Sequence, residues 1–304
     1  MNVAVVGGSG FIGSHVMDAL VKANHIVTDF DIMPPENPRV RHIYLDILDP
    51  SKAIIALAGE YGAVFMLAAM ANVGDVFRNP TQAVEVNVVG TANILEAARR
   101  HDIPRLVLAS TVWVYSGADI DLCTEETPIR IDVTDHVYTA TKIASELLVY
   151  SYAKLYGIGF TVLRYGIPYG PRARSGSAIT EFVRRASNGE PIVIQGDGKQ
   201  QRRFLYVEDL AQANVLALSP VAKNKTYNVE GPELVSILQI AEMVNAILGP
   251  VEIKFSSARI GDYKTRTASN DRIEADLHWQ PRTPFASGLH KYIDWYRRAH
   301  ASGR

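Results

Sequence analysis

Short unbroken apolar runs alternate along this chain with stretches in which apolar residues recur every three or four positions. Residues 2–6 form the first run, as expected for a strand buried on both faces. It leads into Gly7-Gly8-Ser9-Gly10-Phe11-Ile12-Gly13, after which Ile12, Val16, Leu20 and Val21 follow helical spacing to near Asn24. Further strands are predicted over 26–30 (ending at Asp31), 40–45 (ending at Asp46-Ile47), 63–67 (before Ala68-Ala69-Met70) and 105–109 (ending at Ser110-Thr111). A long helix is predicted over 81–100, with Asn87 and Gly90 inside it. Another follows over 143–156, where Ile143, Leu147, Leu148, Tyr152 and Leu155 share a face; Asp135 is its expected N-cap and Tyr138 falls in its first turn. Strands alternating with helices predict an α/β fold: a doubly wound parallel sheet with right-handed connections.

After Arg164 the alternation loosens. Pro168, Gly170 and Pro171 predict a loop, 177–187 a helix, and 192–195 a short strand before the turn Gly196-Asp197-Gly198. Residues 206–216 read as a helix returning to the first domain and 226–229 as a strand, with 234–248, 272–277 and 285–298 helical. Two lobes follow from this. The first spans 1–165, with 203–230 returning to it. The second is a smaller mixed α/β lobe over 166–304, mainly 166–202 and 231–304. Trp279 and Trp295 are expected in packing roles.

Composition narrows the function. With 304 residues, 47% hydrophobic and 21% charged, the chain reads as an ordinary soluble protein with a large core. A net charge of -1 argues against a nucleic-acid or membrane-surface partner. One cysteine, Cys123, excludes an internal disulfide framework and fits the reducing cytoplasm. Residues 3–6 are too short for a signal-peptide core, and no apolar run has membrane-spanning length. No metal site is expected.

Strand, glycine turn and helix is the context in which a turn holds a pyrophosphate. Gly7 would permit the tight turn, Gly10 the approach of phosphates, and Gly13 close helix–strand packing. Asp31 lies 18 residues after Gly13, near the spacing of an acid that binds an adenosine ribose. It would repel a 2′-phosphate, favouring NAD over NADP. Asp29 competes for the role, on the same face of the strand; Asp31 is chosen as the later residue. Arg39 and Arg41 lie too far along for a 2′-phosphate site. Tyr138 and Lys142, four apart on a helix, would face the same way. The ammonium would lower the phenol's pKa and make the pair a proton-transfer unit. Ligands in such sheets lie at the carboxyl ends of strands, where Asp31, Asp46, Ala68 and Ser110-Thr111 all fall.

These motifs, in this order, resemble the extended short-chain dehydrogenase/reductases, and within them the nucleotide-sugar epimerases. The resemblance covers nearly the whole chain. It rests on Gly7-x-x-Gly10-x-x-Gly13, Asp31, Asp46-Ile47, Leu67-Ala68-Ala69, Asn87-x-x-Gly90-Thr91, Ser110-Thr111-x-x-Val114-Tyr115 and Tyr138-x-x-x-Lys142. It continues through Leu163-Arg164-Tyr165, Tyr169-Gly170-Pro171, Gly196-Asp197-Gly198, Arg202 and Val207-Glu208-Asp209.

The resemblance implies a Rossmann-type NAD domain. Tyr138 would be the catalytic base and acid, with Lys142 holding the nicotinamide ribose. Thr111 would bond the reacting sugar hydroxyl, with Ser110 beside it. NAD would lie against Gly7, Ser9, Gly10, Phe11, Ile12, Gly13, Asp31, Asp46, Ile47, Leu67, Ala68, Ala69, Asn87, Tyr138, Lys142 and Tyr165. Arg202, Arg259 and Asp262, with Thr111, would contact a nucleotide-diphosphate sugar. Arg172 and Arg174 are read as solvated surface arginines. Relatives also pair as homodimers through the helices 81–100 and 135–156.

Four positions depart from the pattern. Met66 stands where many relatives have histidine, and Ile167 replaces a common asparagine. Val112 and Trp113 stand where sugar dehydratases carry an Asp-Glu pair, and neither transfers protons at neutral pH. The implied activity is C4 epimerisation of the UDP-glucose/UDP-galactose type. A 4-keto-sugar reductase, an atypical dehydratase and a non-catalytic NAD-sensing protein are the alternatives.

Overall fold

A computed structural model describes residues 1–134, 136–257 and 267–301. The chain opens with β1 (Asn2–Val6), α1 (Phe11–Lys22), β2 (Ile26–Asp31), β3 (Arg41–Tyr44), α2 (Pro50–Ala56) and β4 (Ala63–Met66). Then come α3 (Val73–Arg78), α4 (Pro80–Val84), α5 (Gly90–Arg100), β5 (Arg105–Thr111), β6 (Leu122–Cys123), α6 (Val137–Tyr156) and β7 (Gly159–Tyr165). Among the described residues a seven-stranded sheet runs in the order β3-β2-β1-β4-β5-β7-β11, where β11 is Lys225–Val229. Every pairing in it is parallel. The strand order reverses direction between β1 and β4, which opens a crevice at their carboxyl ends.

Both faces of this sheet are buried, which is why its strands read as continuous apolar runs. Val3 and Val5 pack with Leu20 of α1 and Leu210 on one side, while Ala4 and Val6 pack with Ile94 and Leu95 of α5 on the other. Trp279 lies in the first of these cores, as its packing role requires.

The rest of the chain builds a smaller lobe. Its elements are β8 (Ile167–Tyr169), α7 (Ala178–Ser187), β9 (Ile192–Gln195), β10 (Gln201–Tyr206), β12 (Leu234–Ser236), α9 (Ile237–Leu248), β13 (Ile253–Ser256) and α11 (Phe285–Ala301). The order β12-β10-β8 forms one small sheet and β13-β9 another, over a core of Phe182, Ile192, Phe204, Val244 and Phe285. Helix α8 (Val207–Leu216) returns to the large sheet, as do β11 and α10 (Asp271–Leu277). Strand β14 (Thr267–Ala268) pairs with β6.

Four local readings change. The helix expected over 81–100 is divided by a π-helical segment, Glu85–Val89, and the extra residue turns Asn87 inward. Residues 167–169, expected in a loop, form β8 alongside β10. Pro168 is tolerated because β8 is an edge strand. Residues 234–236 are strand, and Ser236 caps α9 through a reciprocal bond with Gln239. Helix α6 takes His136 as its N-cap, without a side-chain bond; Asp135 lies outside the described residues.

One buried ion pair joins three elements of the large lobe. Arg164 of β7 donates to both oxygens of Glu146 on α6, at 3.0 and 2.7 Å. Ser110 of β5 donates to Glu146 Oε1 at 2.5 Å and Tyr150 to Oε2 at 3.0 Å. Removing one partner leaves a buried charge uncompensated. Glu146→Ala should therefore cost ~3–5 kcal/mol in urea denaturation, and Glu146→Leu combined with Arg164→Leu much less. A single Glu146→Ala variant as stable as its parent would refute this.

Candidate active site

The glycine turn is shaped by contact. Gly7 has φ +86°, and a Cβ there would come 2.4 Å from the backbone N of Ala68. A Cβ on Gly13 would come 2.2 Å from the Gly7 carbonyl oxygen. Gly10 is the N-cap of α1 and has no side chain to cap it, which leaves the first N–H groups, from Phe11, Ile12 and Gly13, directed at any anion placed there. Across the crevice, the N–H groups of Leu67 and Ala68 both donate to the Val6 carbonyl at 2.9 Å, and Ala69 is half-buried.

Both acids of β2 reach Ser9. Asp31 accepts the Ser9 N–H at 3.1 Å and the Met33 N–H at 3.1 Å. Asp29 is fully buried, 2.9 Å from the Ser9 hydroxyl and 2.7 Å from Nδ1 of His42. Burial raises its pKa, opposed by those two bonds. Asp46 accepts the Leu48 N–H at 3.0 Å. Ile47 is buried against Gly90, where a Cβ would come 2.4 Å from its Cδ1. Asn87 accepts from Met70 N–H at 2.7 Å and donates to Met70 carbonyl at 3.1 Å and to Thr141 at 2.9 Å. It thereby fixes the loop after β4 to α6.

Tyr138 lies in the first turn of α6, close to the Thr111 hydroxyl at the end of β5. Thr111 also caps the turn Val112–Tyr115, accepting the Trp113 N–H at 3.2 Å. The Trp113 indole stands edge-on to Tyr138, 6.2 Å between centroids, and 5.7 Å from the His136 ring. Lys142 Nζ lies 5.9 Å from the Tyr138 ring centroid and donates to the Ala109 carbonyl at 2.9 Å. Thr111 is paired across the sheet with Tyr165, whose hydroxyl donates to Asn214 at 2.7 Å.

The electrostatics differ from the expectation that Lys142 lowers Tyr138. Burial pushes the Tyr138 phenol up to about 12, opposed by the nearby Thr111 hydroxyl, and brings Lys142 down to about 8, against the pull of Glu146. For both groups desolvation is the largest influence. Ser110 differs as well: its hydroxyl is committed to Glu146.

In the smaller lobe, Arg202 on β10 donates to the Gln201 carbonyl at 2.8 Å. Arg259 and Asp262 lie outside the described residues. Arg172, read as solvated, lies 2.9 Å from His15 Nδ1 and 2.9 Å from Asp18 Oδ2, tying the loop after β8 to α1. Burial and Arg172 hold His15 down at about 4. Sequence reasoning missed Glu230. It follows β11, is 3% exposed, and accepts the Ala268 N–H at 3.3 Å. A Cβ on Gly166 would come 2.3 Å from its Oε1. Burial raises it to about 8, opposed by that N–H and by Arg203. A lone glutamate at a strand end carries no signal of this.

Among the described residues no group of His, Cys, Asp or Glu is placed to hold a metal ion, and no helix is long and apolar enough to cross a membrane.

The architecture is that of a dinucleotide-binding sheet with a Tyr-Lys pair over its crevice. The chain belongs to the NAD dependent epimerase/dehydratase family, whose model matches residues 3–229. A probable UDP-glucuronate 4-epimerase of Rhizobium meliloti (strain 1021) is 31% identical, over 99% of this chain and 100% of its own. The UDP-glucose 4-epimerase of Thermotoga maritima, solved with UDP-glucose, superposes with a TM-score of 0.92 at 26% identity, covering 98% and 99% of the two chains. The UDP-glucuronic acid 4-epimerase of Bacillus cereus, solved with UDP-glucuronic acid and NAD, gives 0.89 at 28%, covering 99% and 100%.

Glu230 makes the fold pH-dependent. It holds its proton to about 8 when folded, against an ordinary 4.5. Unfolding between those values releases a proton, so the contribution is whole below pH 4.5 and is lost as pH rises toward 8. The melting temperature should fall across that window, and Glu230→Gln should flatten the fall. Equal slopes for the two proteins would remove Glu230 as the cause.

Proposed function

We propose that this chain is an NAD-dependent nucleotide-sugar 4-epimerase, acting on a UDP-hexose pair of the UDP-glucose/UDP-galactose type through a 4-keto sugar. The observation that carries it is Tyr138 in the first turn of α6, close to the Thr111 hydroxyl that ends β5 and with Lys142 Nζ 5.9 Å from its ring centroid. NAD fits the crevice. Gly7 and Gly13 leave no room for a Cβ, and α1 presents an uncapped N-terminus. Asp31 would hold the adenosine ribose and Lys142 the nicotinamide ribose, and Asp46, Ile47, Leu67, Ala68, Ala69, Asn87 and Tyr165 would line the rest of the cofactor. When bound, NAD supplies a hydride acceptor that is regenerated within each cycle.

The chain's residues handle the proton. Thr111 holds the C4 oxygen of the sugar against Tyr138. Tyr138 takes the hydroxyl proton from that oxygen as the C4 carbonyl forms, and returns it to the same oxygen once the keto sugar has presented its other face. A phenol near 12 is a poor base; the Lys142 ammonium and a cationic cofactor ring both favour its phenolate. Ser110 acts behind this group, by anchoring β5 to Glu146. Val112 and Trp113 offer no acid pair beside Thr111, which counts against elimination of water. Arg202 and Arg259 are assigned to the diphosphate, and Asp262 to the substrate.

Purified protein should interconvert a C4 pair of UDP-sugars, hexoses or their uronic acids, without net consumption of NAD, followed by NMR. Tyr138→Phe should lower kcat about 10²–10⁴-fold. A variant retaining most of its rate would refute the assignment.

Two further assignments accompany this one. Val84, Val89, Leu147 and Leu155 are 43%, 46%, 58% and 70% exposed on α4, the π segment and α6, and we assign this face to a homodimer. Light scattering should give twice the chain mass, and a strictly monomeric protein would reject the pairing. The single, buried Cys123 suits a cytoplasmic setting.

A further inference from the structure

Strand β2 ends in Asp29-Phe30-Asp31, and strand alternation turns both carboxyls toward the glycine turn. The two acids grip one residue by different atoms. Asp31 takes the backbone N–H of Ser9, at 3.1 Å. Asp29 lies 2.9 Å from the Ser9 hydroxyl, and that hydroxyl also reaches the Met33 carbonyl at 2.7 Å. Asp29 is itself held from the neighbouring strand by His42, at 2.7 Å. It is fully buried, yet its Oδ1 has no hydrogen-bond partner among the described residues. That oxygen lies under Gly8, where a Cβ would come within 2.3 Å of it.

A buried carboxyl with half of its acceptor capacity unused is costly. An apolar side chain would pair β2 with β3 without that cost. What Asp29 adds is a second hold on Ser9 and a second negative charge beneath Asp31. We propose that Asp29, steadied by His42, is a positioning residue for the adenosine end of NAD, fixing Ser9 in the turn and adding to Asp31 in the exclusion of a 2′-phosphate.

This rests on the NAD-binding reading, and binding rather than turnover tests it. Titration calorimetry on protein freed of copurifying cofactor gives dissociation constants for NAD and NADP without any substrate. Asp29→Val and His42→Leu remove the hold on Ser9 and should each weaken NAD binding about tenfold. His42→Gln keeps an N–H donor for Asp29 and should bind NAD within about threefold of the parent. Asp29→Asn keeps the shape and removes the charge. With Asp31 intact, it should lower the preference for NAD over NADP about tenfold, a change that a merely structural role would not produce.

Parent-like NAD affinity in both Asp29→Val and His42→Leu would overturn the proposal and leave Asp29 a staple between strands. An unchanged NAD-to-NADP ratio in Asp29→Asn would overturn the charge role. Failure of the parent to bind NAD would instead overturn the cofactor reading beneath both.

Discussion

The buried pair between Glu146 and Arg164 is the constraint on which the reacting corner depends. Their side chains are 2% and 5% exposed, so neither charge can be solvated by water. Such a pair persists only when the remaining hydrogen-bonding capacity is filled. Here Ser110 and Tyr150 complete the carboxylate, and Tyr115 accepts from the guanidinium at 2.6 Å. The pair therefore welds α6 to the ends of β5 and β7. Tyr138 and Lys142 ride on α6, Thr111 ends β5 and Tyr165 ends β7. Their relative positions follow from one satisfied electrostatic contact in the interior rather than from bonds at the surface of the site.

Burial has a second consequence at the same place. It moves the Tyr138 phenol up and the Lys142 ammonium down. Glu146, one turn beyond Lys142, opposes the second shift and so keeps positive charge available beside the phenol. The same carboxylate thus sets the geometry of the corner and supports its charge. Thr111 adds a neutral donor and acceptor that suits a sugar oxygen as alcohol or as ketone. Trp113 presents an apolar edge to Tyr138 and can hold neither a proton nor a charge, which suits oxidation and reduction at a single carbon better than removal of a group from its neighbour.

Much of this was legible in the chain because it is local. Apolar runs gave the buried strands, and the spacing of Gly7 and Gly13 follows from contacts that no Cβ could share. Tyr138 and Lys142 lie on one helix, so spacing alone placed them together. What escaped depends on partners distant in sequence. The π segment exists because Asn87 must meet both Met70 and Thr141. Strand β8 exists because β10 pairs with it, against the local signal of Pro168. Arg172 reads as a surface cation until its loop meets His15 and Asp18. Asp29 was visible as a rival to Asp31, but only His42, on the neighbouring strand, shows that both acids are used at once.

Glu230 follows β11 directly, at the junction of the large sheet with β14. Gly166 must lack a side chain because the Glu230 carboxyl fills that space. Gly166 directly follows Tyr165, and Glu230 also touches β14, so the carboxyl sits where the large sheet hands the chain to the smaller lobe. A carboxylic acid kept neutral by burial can donate as well as accept, which a carboxylate cannot. The junction between the large and small lobes therefore holds a group whose hydrogen-bonding character changes with its proton, at the ends of β7 and β11. Substitutions at Glu230 should be read together with Gly166, because space for one exists only through the absence of a side chain on the other.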